Sequence, residues 1–217
     1  SRGIFVHTML HDLIPIVLPQ VVDNGTLRSF EPWLRHSHEY TSNYLTVSES
    51  TGRDLARFLA DHDIDRPIHV TPLVQAALPM APDRLVTSKA HERSDDRPSV
   101  SAEPGLESQR IRAVLAHPFV LCVGTLEIRK NIWKIAQAWQ RLSTIENLPL
   151  PKLVFVGQRG WMIQDFERMM EATGFISGWV DVIQGVSDVE LDALYRHCLF
   201  TITASLYEGW GLPIGES

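Results

Sequence analysis

The chain has 217 residues, 44% hydrophobic and 21% charged, which is ordinary usage for a folded soluble protein and excludes a disordered tail. Twenty Lys and Arg against 26 Asp and Glu give a formal net charge of -6, and no long basic run argues for a sequence-independent grip on nucleic acid. No apolar run approaches transmembrane length, and the opening SRGIFVHTMLHD lacks the apolar core and cleavage site of a signal peptide.

In chain order, apolar runs alternate with helical patterns. GIFVHTM (3–9), YLTVS (44–48) and PIHVTP (67–72) read as strands, and a helix capped by Ser48 and carrying Leu55, Phe58 and Leu59 lies between the second and third. His7 and His11 are four apart, a spacing that would pair them on a helix, but a strand separates them. From Met80 to about Gln109 periodicity fails in a stretch rich in proline and charge, which predicts a linker or mobile loop over 80–110. The boundaries are then 1–79 for a first domain and 111–217 for a second.

Alternation resumes with predicted strands FVLCVG (119–124), KLVFVG (152–157), WVDVIQG (179–185) and CLFTITAS (198–205). One helix between them shows an apolar stripe of Ile132, Ile135, Ala136, Trp139 and Leu142. Another is announced by a capping box of Ser187 and Glu190 ahead of Leu191, Leu194 and Tyr195. Parallel neighbours need crossover connections, so strands alternating with helices predict an α/β, doubly wound parallel sheet. Ligands then belong at the carboxyl ends of the strands. Cys122 and Cys198 sit inside apolar runs and read as buried thiols in a reducing cytoplasm.

Two strand ends carry unusual loops. GTLEIRKN (124–131) places Arg129 and Lys130 just before a helix N-terminus, an arrangement suited to a phosphate or diphosphate. In SLYEGWGLPIGES (205–217), Gly209 and Gly211 would admit a ligand close to the backbone. Leu212 and Pro213 open a helix, and Glu208 and Glu216 could face one pocket as acceptors for hydroxyl donors. Spacing alone leaves a metal site or a favourable acidic helix start open for the glutamates.

GTLEIRKN, KLVFVGQRGW, GVSDVELDALYRHC and SLYEGWGLPIGES, in this order, resemble the nucleotide-binding half of retaining glycosyltransferases of GT-B architecture. VHTMLHDLIPIVLP and YLTVSESTGRDL resemble the later part of that family's acceptor-side half. The resemblance implies two Rossmann-like units facing across a cleft, both incomplete in this chain. It implies that Glu208 lies near the donor sugar with the amides of Trp210, Gly211 and Leu212, and that Glu216 holds the ribose. Lys130 would neutralise the donor diphosphate. Many members carry an arginine directly after Gly124, where this chain has Thr125, so Arg129 would substitute. His11 and Asp12 resemble the loop that faces the donor sugar.

No side chain here reads as a covalent nucleophile. The resemblance implies a metal-independent, retaining hexosyl transfer through front-face attack, with no cofactor. The donor would be a nucleotide sugar, GDP-mannose first and UDP-sugars next, and the acceptor a glycan or lipid-linked saccharide. The expected location is the cytoplasm, with peripheral membrane association through segments outside this sequence. Three strands before the linker and four after it fall short of two full doubly wound halves, which implies a piece of a larger enzyme. A non-catalytic sugar-nucleotide-binding or assembly module, and a nucleotide-sugar epimerase of similar architecture, are the alternatives.

Overall fold

The computed structural model describes residues 4–73 and 108–211. The chain divides into two compact units. The first contains described residues 4–73, 128–131 and 205–211; the second contains 108–127 and 132–204. Of the expected linker, residues 80–107 lie outside the described residues, whereas Gln109 and Arg110 already belong to a helix.

In the first unit β1 (His7–Leu10), α1 (Ile14–Val17), a 3-10 turn (Pro19–Val21), α2 (Asn24–Ser37), β2 (Asn43–Thr46), α3 (Glu49–Asp61) and β3 (Ile68–Val70) follow one another. The three strands pair in the order β1-β2-β3, all parallel, with His7 opposite Asn43 and Tyr44 opposite Ile68. Each strand is shorter than its apolar run suggested, because only these residues complete the ladder.

Side chains of β1 and β2 bury against helices in a core of Leu10, Leu13, Leu34, Tyr44, Leu55, Phe58 and Leu59. Tyr44 is fully buried and its hydroxyl meets Ser37 Oγ at 2.5 Å, so burial of the ring leaves no polar atom stranded. Ser48 caps α3 by accepting from the Thr51 amide, as its sequence predicts. The sequence patterns did not assign α2. Only Leu34 and Ser37 are fully buried on it and Pro32 lies inside it, a residue that argues against a helix in sequence; its start is set by Asp23, which accepts from the amides of Gly25 and Thr26.

The second unit runs α4 (Gln109–Leu115), β4 (Phe119–Val123), α5 (Ile132–Leu142), β5 (Lys152–Val156), α6 (Gln164–Ala172), α7 (Gly174–Gly178), β6 (Val180–Ile183) and α8 (Asp188–His197). β4, β5 and β6 form a parallel sheet in that order. Successive strand residues point to opposite faces. Val120, Cys122, Leu153 and Phe155 pack on one side with Ile132, Ile135, Ala136, Trp139, Phe166 and Met170. Phe119, Leu121, Val154 and Val156 pack on the other with Ile111, Val114, Leu115, Ala193 and Leu194. Both faces are covered, which is why FVLCV and LVFV read as unbroken apolar runs.

The expected strand at 198–205 contracts to a bridge. Leu199 donates to Phe119 O and Ile202 to Leu121 O, both at 2.8 Å, and Leu121 donates back to Phe200 O. Only Thr201 pairs with Leu121, so this segment flanks β4 without becoming a regular strand. The capping box of α8 is present, with Ser187 Oγ accepting from the Glu190 amide and Glu190 accepting from the Ser187 amide. α7 is a turn that no sequence pattern announced: Phe175, Ile176 and Ser177 all have φ near +54°, between Gly174 and Gly178.

Candidate active site

In the second unit, β4 ends at Val123 and the chain turns at Gly124, whose φ of 139° few other residues adopt. The following loop then continues the parallel pairing past the strand: Leu126 donates to Gln158 O and accepts from the Gly160 amide, both at 2.8 Å. This approach is close. A Cβ on Gly157 would lie 2.6 Å from the carbonyl carbon of Gly124 and 3.3 Å from the Thr125 nitrogen. Thr125 is exposed, and Glu127 in the same loop is only 1% exposed.

In the first unit, residues 128–131 carry the cations. Ile128–Lys130 form a 3-10 turn, and Asn131 follows with φ 57°, a left-handed conformation that asparagine tolerates. α5 begins at the next residue, so Arg129 and Lys130 stand before a helix start as expected, with a tight turn between.

Segment 205–211 meets this turn. The Leu206 amide donates to Arg129 O at 2.9 Å, and Arg129 Nη1 donates to Tyr207 O at 2.7 Å. Glu208 then receives both cations, Oε2 from Arg129 Nη1 at 2.8 Å and Oε1 from Lys130 Nζ at 2.5 Å. These side chains are only 11%, 14% and 20% exposed for Arg129, Lys130 and Glu208, so water screens their attraction less than it would at an open surface. Burial by itself would raise the Glu208 pKa. Side-chain hydrogen bonds, that from Lys130 the largest and that from Arg129 among the rest, together with the charge of Lys130, outweigh it and hold the carboxyl below the ordinary glutamate range.

The rest of the segment is fixed to β1 and α3. Gly209 lies against the His11 carbonyl so closely that a Cβ would sit 3.0 Å from Asp12 Cβ and 3.1 Å from the His11 carbonyl carbon. Thr51 Oγ1 lies 3.5 Å from both the His11 and Gly209 carbonyl oxygens. Asp12 Oδ1 accepts from the Ile14 amide at 3.0 Å, which fixes the turn after β1, while the His11 side chain is exposed. The Tyr207 hydroxyl donates to Asp54 Oδ2. Burial first, then that hydrogen bond and the charge of Asp54, push the phenol above its ordinary value, so it serves as a donor. Gly211 has φ 82°, a conformation that favours glycine.

The structure thus brings Arg129, Lys130, Glu208, Gly209, His11 and Asp12 into one unit. Gly124 and Thr125 belong to the other, and Leu212 and Glu216 lie outside the described residues. Tyr207, Asp54 and Thr51 were not legible as site residues. Among the described residues no group of His, Cys, Asp and Glu could hold a metal ion, and no helix is long and apolar enough to cross a membrane.

The family described as glycosyl transferases group 1 matches residues 107–217, more than half of the sequence. The chain belongs to that family. O-antigen chain mannosyltransferase B of Escherichia coli is 29% identical over 212 residues, covering 97% of this chain and 49% of that protein. The serotype-specific mannosyltransferase WbdA of Escherichia coli is 26% identical over 220 residues, covering 100% of this chain and 25% of that protein. This group 1 chain therefore spans about half the length of one curated relative and about a quarter of the other. A solved structure of trehalose-6-phosphate from E. coli bound with UDP-2-fluoro glucose matches with a TM-score of 0.65 at 12% identity, over 97% of this chain and 49% of that one. At that identity the likeness establishes the fold: two α/β Rossmann-like units.

Proposed function

We propose that this group 1 chain carries the donor-binding part of a retaining glycosyltransferase that moves a hexose, mannose, from a nucleotide sugar to a glycan or lipid-linked acceptor without a metal ion. The observation that carries this reading is the convergence of Arg129 and Lys130 on Glu208, in a family member whose curated relatives include mannosyltransferases. GDP-mannose is the donor we favour on that similarity, and a UDP-sugar is the next.

Breaking the bond from sugar to diphosphate places negative charge on the leaving oxygen, and two fixed cations stabilise that charge as it develops. Arg129 and Lys130 would serve there. In the structure Glu208 takes the charge of both, so an arriving diphosphate competes with the carboxylate, which would then turn to sugar hydroxyls. The amides of Trp210, Gly211 and Leu212 would lie near the donor, Glu216 at the ribose, and His11 and Asp12 across from the sugar. No covalent intermediate is required: the acceptor oxygen attacks from the face the leaving group departs, and the diphosphate oxygen takes its proton.

Initial rates and calorimetry on the full chain with GDP-mannose, UDP-glucose, GDP and UDP test the reading. Lys130→Ala or Arg129→Ala should each lower kcat/KM by about 30- to 1,000-fold, the range of about 2 to 4 kcal/mol for lost charge-stabilising donors. EDTA should leave turnover intact. Activity lost on chelation and restored by Mg²⁺ would remove the metal-free mechanism, and binding without transfer would identify a non-catalytic module instead.

A further inference from the structure

Glu208 lies between two residues that both approach the same face of α3, the first by a hydrogen bond and the second by a longer contact. On its amino side, the Tyr207 hydroxyl donates to Asp54 Oδ2. On its carboxyl side, the Gly209 carbonyl oxygen lies 3.5 Å from Thr51 Oγ1. Thr51 and Asp54 are three apart, the spacing that puts two side chains on one face of a helix. α3 is a firm base for them: Ser48 caps it, and Thr51, Leu55, Phe58 and Leu59 are buried. Tyr207 is also held by its ring, which packs against Ile14, Val21 and Val22 with Leu18 and Leu27, and by its carbonyl, which accepts from Arg129.

The apolar contacts of the ring are non-directional and permit sliding; the bond to Asp54 is directional and removes that freedom. Tyr207 and Glu208 are joined by one rigid peptide, with Cα atoms ~3.8 Å apart, so a shift of Tyr207 displaces the backbone from which Glu208 projects. We infer that Tyr207 and Asp54 are a positioning pair, tying the segment that bears Glu208 to α3 so that the carboxylate meets Arg129 and Lys130. The inference rests on the proposed role of Glu208 at the donor sugar.

Tyr207→Phe keeps the ring and deletes only the hydroxyl, Asp54→Ala deletes the acceptor, and Asp54→Asn keeps one. Two measurements on the full chain are needed: backbone hydrogen exchange over 205–211, and initial rates with GDP-mannose and with UDP-glucose. Tyr207→Phe and Asp54→Ala should each speed exchange over 205–211 without changing it in β1 to β3. Each should lower kcat about tenfold with donor KM moved less than threefold, and the double variant should be no worse than the poorer single one. Asp54→Asn should recover kcat to within threefold of wild type. Unchanged exchange and kcat within twofold in Tyr207→Phe, or losses that multiply in the double variant, would overturn the pairing. If the wild-type chain transfers from neither donor, the functional reading falls, while the exchange measurement still decides the anchoring.

Discussion

Gly209→Ala tests the placement of Glu208 by geometry alone. The added Cβ would enter the space of the His11 carbonyl oxygen and come to 3.0 Å from Asp12 Cβ and 3.1 Å from the His11 carbonyl carbon. Carbon atoms pack best at about 3.5 to 4.0 Å, so one of the two backbones must give by roughly 1 Å. The His11–Asp12 side resists, because Asp12 Oδ1 is bonded to the Ile14 amide. Moving the 205–211 side instead stretches the bonds from Glu208 to Arg129 and Lys130, now 2.8 and 2.5 Å, to about 3.5 Å or beyond, outside ordinary hydrogen-bond range.

A hydrogen bond to a charged group is worth about 1.5 to 3 kcal/mol, and partial exposure returns some of this to water, so we expect a loss of about 2 to 3 kcal/mol for the cluster. A misplacement of about 1 Å at a reacting centre costs on the order of 100-fold in rate. The assay is initial rate with GDP-mannose, the proposed donor, with thermal unfolding alongside and Gly178→Ala as the comparison. Gly178 has φ 82° and nothing within 4 Å of an added Cβ, so that variant suffers only backbone strain of about 1 to 2 kcal/mol and should keep its turnover. Gly209→Ala with turnover within threefold of wild type would refute the argument that this close approach sets the position of Glu208.

Glu208→Gln should show a pH signature. A carboxyl held below the ordinary value of 4.5 contributes stability that is fully present above that value and is lost as pH falls through its lower folded value. The gap in unfolding free energy between wild type and Glu208→Gln should therefore be present at pH 7 and close in acid; a constant gap would contradict the ion-pair assignment. Ser187→Ala, which removes half of the capping box of α8, should cost about 1 kcal/mol by urea unfolding, and no change in midpoint would count against the box. Trp139→Phe replaces the buried indole of α5 by a smaller ring and loses the 2.9 Å bond from Nε1 to Pro151 O, and should cost about 1 to 3 kcal/mol by the same measurement.

Local order in this protein is written in short stretches, and the sequence determined it. Ser48 and Ser187 announce their helices because a cap needs only a hydroxyl and an amide three residues on. The runs at 119–123 and 152–156 announce buried parallel strands because both faces of that sheet are covered. The α5 stripe is equally plain. Residues 198–205 read as a strand for the same apolar reason, yet their pairing stops at Thr201, and strand length depends on what the neighbouring strand offers. The residue types of the loops at 124–131 and 205–211 suggested a place for an anion and a sugar; what the structure shows is that Arg129, Lys130 and Glu208 converge. That Glu208 would take both cations was decided only in the tertiary structure. So was the choice of Tyr207 and Asp54, 153 positions apart, as the tie that holds it. An ion pair or a buried hydroxyl bond acts over about 3 Å in space, and nothing in a residue's own neighbourhood along the chain records which distant partner the fold will bring within that distance.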